Sequence, residues 1–224
     1  MSATARLSAI IPVLDDAERL RRLLAALRAD PHLEIVVVDG GSGDETPAVA
    51  SAAHRLLAAP SSRGGQLRAG VAASERDWVW FLHADTQLEA SAIRTLAGHL
   101  DAPGWGFFAV RLDNRAWPYR VIEQAMKWRS FATGIATGDQ GIFVHRRLLD
   151  AVGGVPDQPL MEDVELSKRL RRIAKPQRLS AAITTSCRRW ERRGVLRTMV
   201  LMWTLRLRYF AGASPEELAR SYDS

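Results

Sequence analysis

Trp78-Val79-Trp80-Phe81-Leu82 is an apolar run of strand length, and it ends abruptly on His83-Ala84-Asp85-Thr86. The run predicts a buried β-strand, and the polar residues after it place the carboxylate of Asp85 at the carboxyl edge of a sheet. Proteins of the α/β class bind their ligands at that edge. A second acidic pair, Glu162-Asp163, opens a segment whose apolar residues follow the helical period, so these carboxylates are predicted at a helix start.

Strand and helix patterns alternate along the first hundred residues. Apolar or β-branched runs predict the strands, and segments with helical periodicity or a Thr-Pro start predict the helices between them. This order predicts an α/β fold with three layers, α/β/α, around a mostly parallel central sheet, followed by a C-terminal helical appendage. The predicted strands cover residues 7–14, 34–38, 55–59, 77–82, 105–112 and 141–145.

The composition limits the classes of protein that this chain can represent. Its 224 residues are 47% hydrophobic, enough for one substantial core, and we predict a main domain over residues 1–190 and a basic tail over residues 191–224. The single cysteine, Cys187, excludes an internal disulfide. Early acidic residues argue against a signal peptide, and the longest uncharged apolar stretch, 198–205, is far shorter than the roughly 20 residues of a membrane-spanning helix. We therefore expect a cytoplasmic protein.

The C-terminal part of the chain is strongly basic. Residues 169–224 hold 13 basic and 4 acidic side chains, whereas residues 1–168 hold 18 basic and 21 acidic ones. A basic segment suits the phosphate groups of nucleotides, lipids or nucleic acids, and a solvated helix face is the alternative. We predict that one apolar stripe of this segment packs on the core or on a second copy of the chain. The alternative is peripheral contact with anionic lipid at the inner face of a membrane. The stripe consists of Leu196, Met199, Val200, Trp203, Leu207 and Phe210, flanked by Arg197, Arg206 and Arg208.

Four motifs occur in the order and approximate spacing of the family 2 glycosyltransferases with the GT-A fold. They lie at residues 8–16, 37–46, 82–86 and 162–163, and the resemblance covers about residues 7–172. The sequences of residues 63–70 and of Arg188-Arg189-Trp190 are similar to those of a small bacterial subgroup of these transferases. The resemblance implies a GT-A-type fold, a divalent cation, Mg²⁺ or Mn²⁺, and inverting transfer of a sugar from a nucleotide-diphosphate sugar to a hydroxyl acceptor.

The resemblance assigns one set of residues to the donor nucleotide. Asp15, three residues after Pro12, matches a family position near the ribose or base, and Asp39 matches the first Asp of the family's Asp-Asp-Gly-Ser turn. Gly40 replaces the second Asp, so one acceptor for the base is missing. Both carboxylates have local alternatives, since Asp15 can cap the next helix and Asp39 can bond to amides of its own turn. The donor-binding residues that we predict are Pro12, Asp15, Asp39, Arg63, His83, Asp85 and Arg189.

Asp85 is also the predicted metal ligand. It matches the last residue of the family's Asp-x-Asp motif, and His83 replaces the first. The resemblance implies that Asp85 binds Mg²⁺ or Mn²⁺ directly, because these hard ions take one or two carboxylates together with phosphate oxygens and water. The five histidines show no zinc-ligand spacing with Cys187. The alternatives are a turn cap for Asp85 and a packed strand-end imidazole for His83.

Asp163 is the predicted general base, because the implied inverting reaction needs a carboxylate that removes the proton of the acceptor hydroxyl. The helix start should keep both Glu162 and Asp163 ionised, and the alternative is that they only cap the helix. The predicted acceptor-binding residues are Asp139, Glu162 and Trp190. Arg189 and Trp190 resemble the end of the Gln-x-x-Arg-Trp motif of processive relatives, in which the Arg approaches the diphosphate and the Trp faces the acceptor sugar. Trp190 can instead anchor the tail on the core.

Three classes of function remain open from the sequence. The favoured class is a glycosyltransferase that uses a UDP- or GDP-linked sugar, with a hydroxyl acceptor that is unassigned and can be lipid-linked. The second is a GT-A-like nucleotidyltransferase, although such enzymes carry a glycine-rich loop after the first strand and residues 12–16 contain no glycine. The third is a non-enzymatic membrane- or nucleic-acid-binding module that uses the basic tail. That module leaves Asp39, Asp85 and Asp163 without a role, and we expect no nucleic-acid partner because aromatic residues suited to base stacking are sparse.

Overall fold

The structure is a computed structural model that describes residues 3–223, without the side chains of Arg189 and Asp223. The strands are β1 Leu7–Val13, β2 Glu34–Asp39, β3 Arg55–Ala58, β4 Trp78–Phe81, β5 Trp105–Leu112, β6 Phe143–His145 and β7 Gln177–Thr185. The helices are α1 Ala17–Leu27, α2 Thr46–Ala50, α3 Arg63–Ala73, α4 Ala90–Ala97, α5 Trp117–Thr133, α6 Arg146–Ala151, α7 Glu162–Ile173, α8 Arg188–Arg193, α9 Val195–Phe210 and α10 Pro215–Asp223.

The seven strands form one sheet in the order β3-β2-β1-β4-β6-β5-β7. Strand β6 runs antiparallel to β4 and β5, and every other pair is parallel. Hydrophobic clusters lie on both faces of the sheet, and its buried aromatic residues include Trp78, Trp80 and Trp105. The predicted α/β class, with a mostly parallel sheet and helices on both sides, is confirmed.

The strand order reverses at β1, which pairs with β2 on one side and with β4 on the other. Val13 lies opposite Asp39 in the β1–β2 register, and the amide of Leu82 donates to the carbonyl of Ile10. The carboxyl ends of β1, β2 and β4 therefore meet at one edge. That edge is the switch point where α/β sheets bind ligands.

Helix α3 crosses the β1–β2 part of the sheet at close range. A Cβ added to Gly70 would overlap the side chain of Ile10, so only glycine permits this approach. At the start of the helix, a Cβ on Gly64 would lie 2.6 Å from the carbonyl oxygen of Pro156. These two close contacts hold α3 against both β1 and the loop before α7, and they fix the position of Arg63 between them.

The basic tail packs on α7 with one face of α9. Leu205 of α9 and Leu218 of α10 are buried in a cluster with Met161 and Val164. The prediction that the apolar stripe of α9 packs on the core of its own chain is wrong, because most of the stripe points to solvent. The side chains exposed over more than half of their surface are Leu196, Val200, Trp203, Leu207 and Phe210. Packing of this stripe on a second copy of the chain stays a prediction.

Candidate active site

The turn after β2 is hydrogen-bonded to two of the predicted donor carboxylates, Asp39 at the end of β2 and Asp15 in the segment after β1. Asp15 adopts a left-handed backbone conformation with φ of 48°, which Asp tolerates better than most residues. One oxygen of its carboxylate accepts from the amide of Gly43 at 2.8 Å, and the carboxylate of Asp39 accepts from the amide of Ser42 at 3.2 Å. Asp16, not Asp15, occupies the position before α1. Both carboxylates therefore organise this turn at the sheet edge, and their contact with a donor stays a prediction.

Gly40 leaves room for a side chain that the sequence did not single out. The buried amide of Gln66, on α3, donates to the carbonyl oxygens of Val13 at 3.1 Å and Val38 at 2.9 Å. A Cβ on Gly40 would approach that amide nitrogen to 3.2 Å. Gln66 thus links the ends of β1 and β2 by hydrogen bonds, and a residue larger than glycine at position 40 would displace the Gln66 side chain.

Asp85, four residues after the end of β4, carries an unsatisfied carboxylate. Its Oδ1 is buried and has no hydrogen-bond partner among the described residues. Burial is the main cause that raises the pKa of Asp85, and the positive charge of Arg63 partly opposes it. A buried carboxylate oxygen without a donor fits a divalent cation, which would supply the missing positive charge. Within residues 3–223, no three His, Cys, Asp or Glu side chains are grouped to hold a metal, so such a cation would need oxygens of the donor as well.

His83 lies against the start of the segment before β6. A Cβ added to Gly138 would overlap the imidazole ring, and the same Cβ would lie 3.6 Å from an oxygen of Asp163. The backbone amide of His83 donates to Thr86 at 3.2 Å, which closes the turn after β4. Gly138 therefore lets the end of β4 and the start of α7 meet in one place.

The carboxylate of Asp163 is held at the start of α7 by two amides. Its Oδ2 accepts from the amide of Gly138 and its Oδ1 from the amide of Val164, both at 2.6 Å. The side chain is half-buried, and each oxygen of a carboxylate has a second lone pair. The arrangement fixes the direction of the carboxylate and leaves it able to accept a proton.

Glu162 behaves differently from its neighbour. Its side chain is 3% exposed, and burial, followed by the negative charge of Asp163, raises its pKa to about 8. The guanidinium of Arg63, with its Nε 3.7 Å from Oε1, opposes this shift without cancelling it. The prediction that both acids stay ionised is therefore wrong for Glu162. A helix dipole contributes about 0.3–1 kcal/mol, less than one pK unit, and burial exceeds it.

Five of the predicted site residues line one narrow cavity with about 20 Å³ of free space. They are Pro12, Arg63, His83, Glu162 and Asp163. An apolar wall that includes Leu67 and Phe81 completes the cavity. The first strand, α3, the end of β4 and the start of α7 are thus brought together around one point, as the resemblance implies.

Asp139 lies on the other side of Asp163, in the short 3-10 turn Gly138–Gln140. Its Oδ1 is buried without a hydrogen-bond partner in the described part of the chain. Burial raises the pKa of Asp139, while a hydrogen bond with Thr137 and the charge of Arg129 lower it. An unsatisfied oxygen of this kind can accept from a hydroxyl group, and the acceptor-binding role of Asp139 stays a prediction.

Two arginines near these carboxylates were not assigned to the site. Arg129 comes from α5, and Arg206 comes from α9, where it was predicted to flank the apolar stripe. The charges of Asp139 and Asp163 act on both guanidiniums. Arg206 follows buried Leu205 in α9 and is only partly exposed.

Trp190 takes part in packing. It contacts a cluster formed by Leu112, Tyr119, Ile122 and Cys187, none of which lines the cavity. This is the contact that the tail-anchor interpretation predicts, and a role in acceptor binding stays a prediction. The side chain of Arg189 lies outside the described part of the structure.

Known proteins resemble this chain over parts of its length. A TPR repeat-containing protein of Synechococcus elongatus is 37% identical over 135 residues, which are 57% of this chain and 33% of that protein. The beta-monoglucosyldiacylglycerol synthase of a Synechocystis strain is 26% identical over 193 residues, 73% of this chain and 40% of the synthase. The chain thus spans a third to two fifths of the length of these two relatives.

A solved structure shares the fold over nearly the whole chain. The mannosyltransferase PcManGT from Pyrobaculum calidifontis, in complex with GDP-Man and Mn²⁺, superimposes with a TM-score of 0.64 at 18% identity. The match covers 97% of this chain and 68% of the mannosyltransferase. The sequence model described as Glycosyl transferase family 2 matches residues 8–148. With the motifs, the fold and the site in agreement, this chain belongs to glycosyl transferase family 2.

Proposed function

We propose that this chain transfers a sugar from a nucleotide-diphosphate sugar to a hydroxyl acceptor, with inversion at the anomeric carbon. The observation that carries the proposal is the cavity that joins Arg63, His83, Glu162 and Asp163. It combines a guanidinium for a diphosphate with a carboxylate that can accept a proton. Neither the nucleotidyltransferase nor the non-enzymatic module accounts for this pairing within a family 2 fold.

Asp163 acts as the general base in the proposed reaction. The acceptor oxygen forms a bond to the anomeric carbon while the bond from that carbon to the diphosphate oxygen breaks, and the nucleoside diphosphate leaves with the electron pair. The acceptor proton passes to a free lone pair of Asp163, whose orientation the amides of Gly138 and Val164 fix. A positioned base of this kind contributes about 10²–10⁴-fold to the rate.

Asp85 would hold the divalent cation, Mg²⁺ or Mn²⁺, against the donor. When bound, such an ion neutralises charge on the leaving diphosphate. The positive charge of Arg63 lowers the pKa of both Asp85 and Glu162, so this guanidinium interacts with both carboxyls. The complex of the neighbouring mannosyltransferase with GDP-Man and Mn²⁺ supports a nucleotide sugar and a divalent ion here as well.

Glu162 serves as a neutral hydrogen-bond donor in this account. Since burial raises its pKa to about 8, the group carries a proton at neutral pH. A protonated carboxyl can donate to a sugar or acceptor oxygen while Asp163 beside it stays available as base. The two adjacent acids thereby take opposite roles.

The exposed stripe of α9 supports contact with an anionic membrane surface, where a lipid-linked acceptor would be available. Trp203 and Leu207 are 60% and 65% exposed, and Arg197 is exposed beside them. Apolar and basic side chains on one outer face are typical of helices that lie at a lipid interface. The name of the Synechocystis relative, beta-monoglucosyldiacylglycerol synthase, supports a lipid acceptor. In the described part of the chain no helix is long and apolar enough to cross a bilayer. The proposed location is the cytoplasmic face of the membrane.

The reaction is tested by the stereochemistry and the metal requirement of transfer. Purified protein would be incubated with UDP- and GDP-linked sugars, an acceptor panel, and Mn²⁺ or chelator. NMR of the product should show the anomeric configuration opposite to that of the donor, and chelation should stop transfer. Retention of configuration would contradict the role of Asp163 as base.

A further inference from the structure

Met161, the residue directly before α7, has a backbone conformation that is unusual for its residue type. Its φ of 65° and ψ of 18° lie in the left-handed region. Steric contact between Cβ and the backbone disfavours that region for every residue except glycine, and Asn and Asp tolerate it better than Met. Asp15 is the only other non-glycine residue with a positive φ in the described part of the chain. Strained backbone of this kind persists only where the surroundings hold it, and it is most frequent at functional sites.

The conformation of Met161 sets the direction in which the chain enters α7. Its carbonyl oxygen accepts from the amide of Glu165 at 2.9 Å, so the first helical turn starts from this residue. The next two residues are Glu162, which is 3% exposed, and Asp163, which accepts from the amide of Gly138 at 2.6 Å. Because the backbone has only two soft dihedral angles per residue, a change in φ or ψ of Met161 would move both carboxyls relative to the rest of the site.

The chain on the other side of Met161 is held by α3. A Cβ added to Gly64 would lie 2.6 Å from the carbonyl oxygen of Pro156 and 2.8 Å from that of Gln158, so this loop packs directly on the start of α3. The side-chain amide of Gln158 donates to the carbonyl of Leu160 at 3.0 Å, which restrains the last residues of the loop. The chain is therefore anchored before Met161 by α3 and after it by the first turn of α7.

The tail helices enclose the side chain of Met161. This side chain is 8% exposed and belongs to a cluster with Val164 of α7, Leu205 of α9 and Leu218 of α10. Leu205 and Leu218 are almost completely buried. Burial of a large apolar side chain contributes at least as much free energy as a left-handed backbone costs, so this packing is sufficient to hold the strained conformation.

A polar contact joins the tail to the same turn of α7. The hydroxyl of Tyr209, on α9, donates to Oε2 of Glu165 at 2.8 Å, and the ammonium of Lys168 lies 5.1 Å from the centre of the Tyr209 ring. Glu165 is also the residue whose amide bonds to the carbonyl of Met161. The tail therefore contacts the first turn of α7 through both apolar and polar side chains.

We propose that Met161 is a positioning residue for the general base, and that α9 and α10 hold it in the left-handed conformation that directs Asp163 towards the acceptor. This inference rests on the proposed function, because it assigns the acceptor proton to Asp163. Asp163 is the group that contacts the substrate, and Met161 acts through it. The basic tail is then a part of the catalytic unit, and its inner face is required for transfer whatever its outer face binds.

The test compares Met161→Ala with Met161→Gly in the full chain. Both changes remove the packed side chain, but only glycine adopts the left-handed region without a penalty. We expect kcat to fall ~5–30-fold in Met161→Ala, the population penalty of a left-handed alanine, and to fall less in Met161→Gly. A role in packing alone predicts the reverse order, since glycine loses one more carbon from the cluster and more backbone entropy. The KM for the donor should stay unchanged in both variants, because the predicted donor residues lie outside this cluster.

Hydrogen exchange gives a second readout that does not need turnover. The amide proton of Gly138 is bonded to Asp163, so it reports where the carboxylate lies. It should exchange faster in Met161→Ala than in Met161→Gly. Leu218→Ala, which opens the tail side of the cluster, should lower kcat in the wild-type background and leave it unchanged in the Met161→Gly background, where the left-handed backbone carries no strain. Leu96→Ala, a buried change in α4, is the matched control and should lower the melting temperature without changing kcat.

Three results would overturn the inference. They are a kcat for Met161→Gly equal to or below that of Met161→Ala, a Gly138 amide that exchanges equally fast in both variants, and a Leu218→Ala variant with the wild-type kcat. Melting curves identify any variant that does not fold, and if Met161→Ala does not, Leu218→Ala against Leu96→Ala makes the same comparison with Met161 intact. A wild-type rate for Asp163→Asn would instead contradict the proposed function, and the order of Gly138 exchange would still test the role of Met161.

Discussion

The free energy of unfolding should fall with rising pH because of Glu162. This carboxyl is 3% exposed, and burial, followed by the charge of Asp163, raises its pKa from 4.5 to about 8. Below the pKa of Glu162 in the unfolded chain, both the folded and the unfolded state carry the proton, and the free energy of unfolding has its full value. As the pH rises towards the pKa of Glu162 in the folded protein, the unfolded chain releases its proton while the folded chain keeps it, so the free energy of unfolding falls.

The size of this loss follows from the shift. One pK unit corresponds to about 1.4 kcal/mol, so a shift from 4.5 to about 8 amounts to roughly 3–5 kcal/mol between acid and mildly alkaline pH. Glu162→Gln removes the titrating group and keeps a neutral side chain of similar shape. The variant should be close to the wild type at about pH 5 and more stable than it, by up to that amount, at about pH 8.5.

Urea unfolding at several pH values measures the difference, and Glu165→Gln is the matched control on the same helix. Burial alone would raise the pKa of Glu165, but hydrogen bonds from Lys168, Tyr209 and Arg169 lower it to about 2. Its stabilising charge is therefore present throughout this pH window and is lost only as the pH falls through the folded pKa. Glu165→Gln should be less stable than the wild type by a constant amount. A Glu162→Gln curve parallel to the wild-type curve would refute the reasoning.

Three further predictions concern the metal, the tight contact at Gly138 and the tail. Asp85→Asn should abolish the Mn²⁺ dependence of nucleotide binding in calorimetry, and unchanged metal dependence would contradict the assignment. Gly138→Ala should lower the free energy of unfolding by about 1–3 kcal/mol, because its Cβ would overlap His83, and an unchanged melting curve would show that the two segments do not meet. Trp203→Ala with Leu207→Ala should reduce sedimentation with anionic vesicles and leave the melting temperature nearly unchanged, since both side chains are exposed. A dimer that dissociates in this double variant would instead assign the stripe to a second copy.

The parallel part of the sheet could be predicted from the sequence because its strands are locally distinct. Strands β1 and β2 are buried along their whole length, so they appear as continuous apolar runs. Strand β7 was not predicted, since its residues are only partly buried and its pairing with β5 includes a register shift near Phe108. Helix α5 was also missed, and its exposed Trp117 and Trp128 blur the amphipathic pattern.

The motifs of the candidate site were recognisable because each is a short local pattern at a strand or helix end. The environments of their side chains could not be predicted from the sequence, because these environments depend on residues that are distant in the chain. The raised pKa of Glu162 follows from its burial and from the charge of Asp163, which together outweigh the opposing charge of Arg63. The burial of Leu205 follows from the face of α9 that packs on α7. A stripe of apolar residues in a sequence indicates an amphipathic helix and leaves undetermined which face is covered.

The most direct test of the account is the rate of sugar transfer by Asp163→Asn under single-turnover conditions, with saturating donor and metal. The account predicts a fall of about 10²-fold or more in the rate, with nucleotide affinity and melting temperature close to those of the wild type. Asp157→Asn, an exposed change in the loop before α7, is the control and should keep the wild-type rate. A rate for Asp163→Asn equal to that of the wild type would contradict the central claim that Asp163 is the general base.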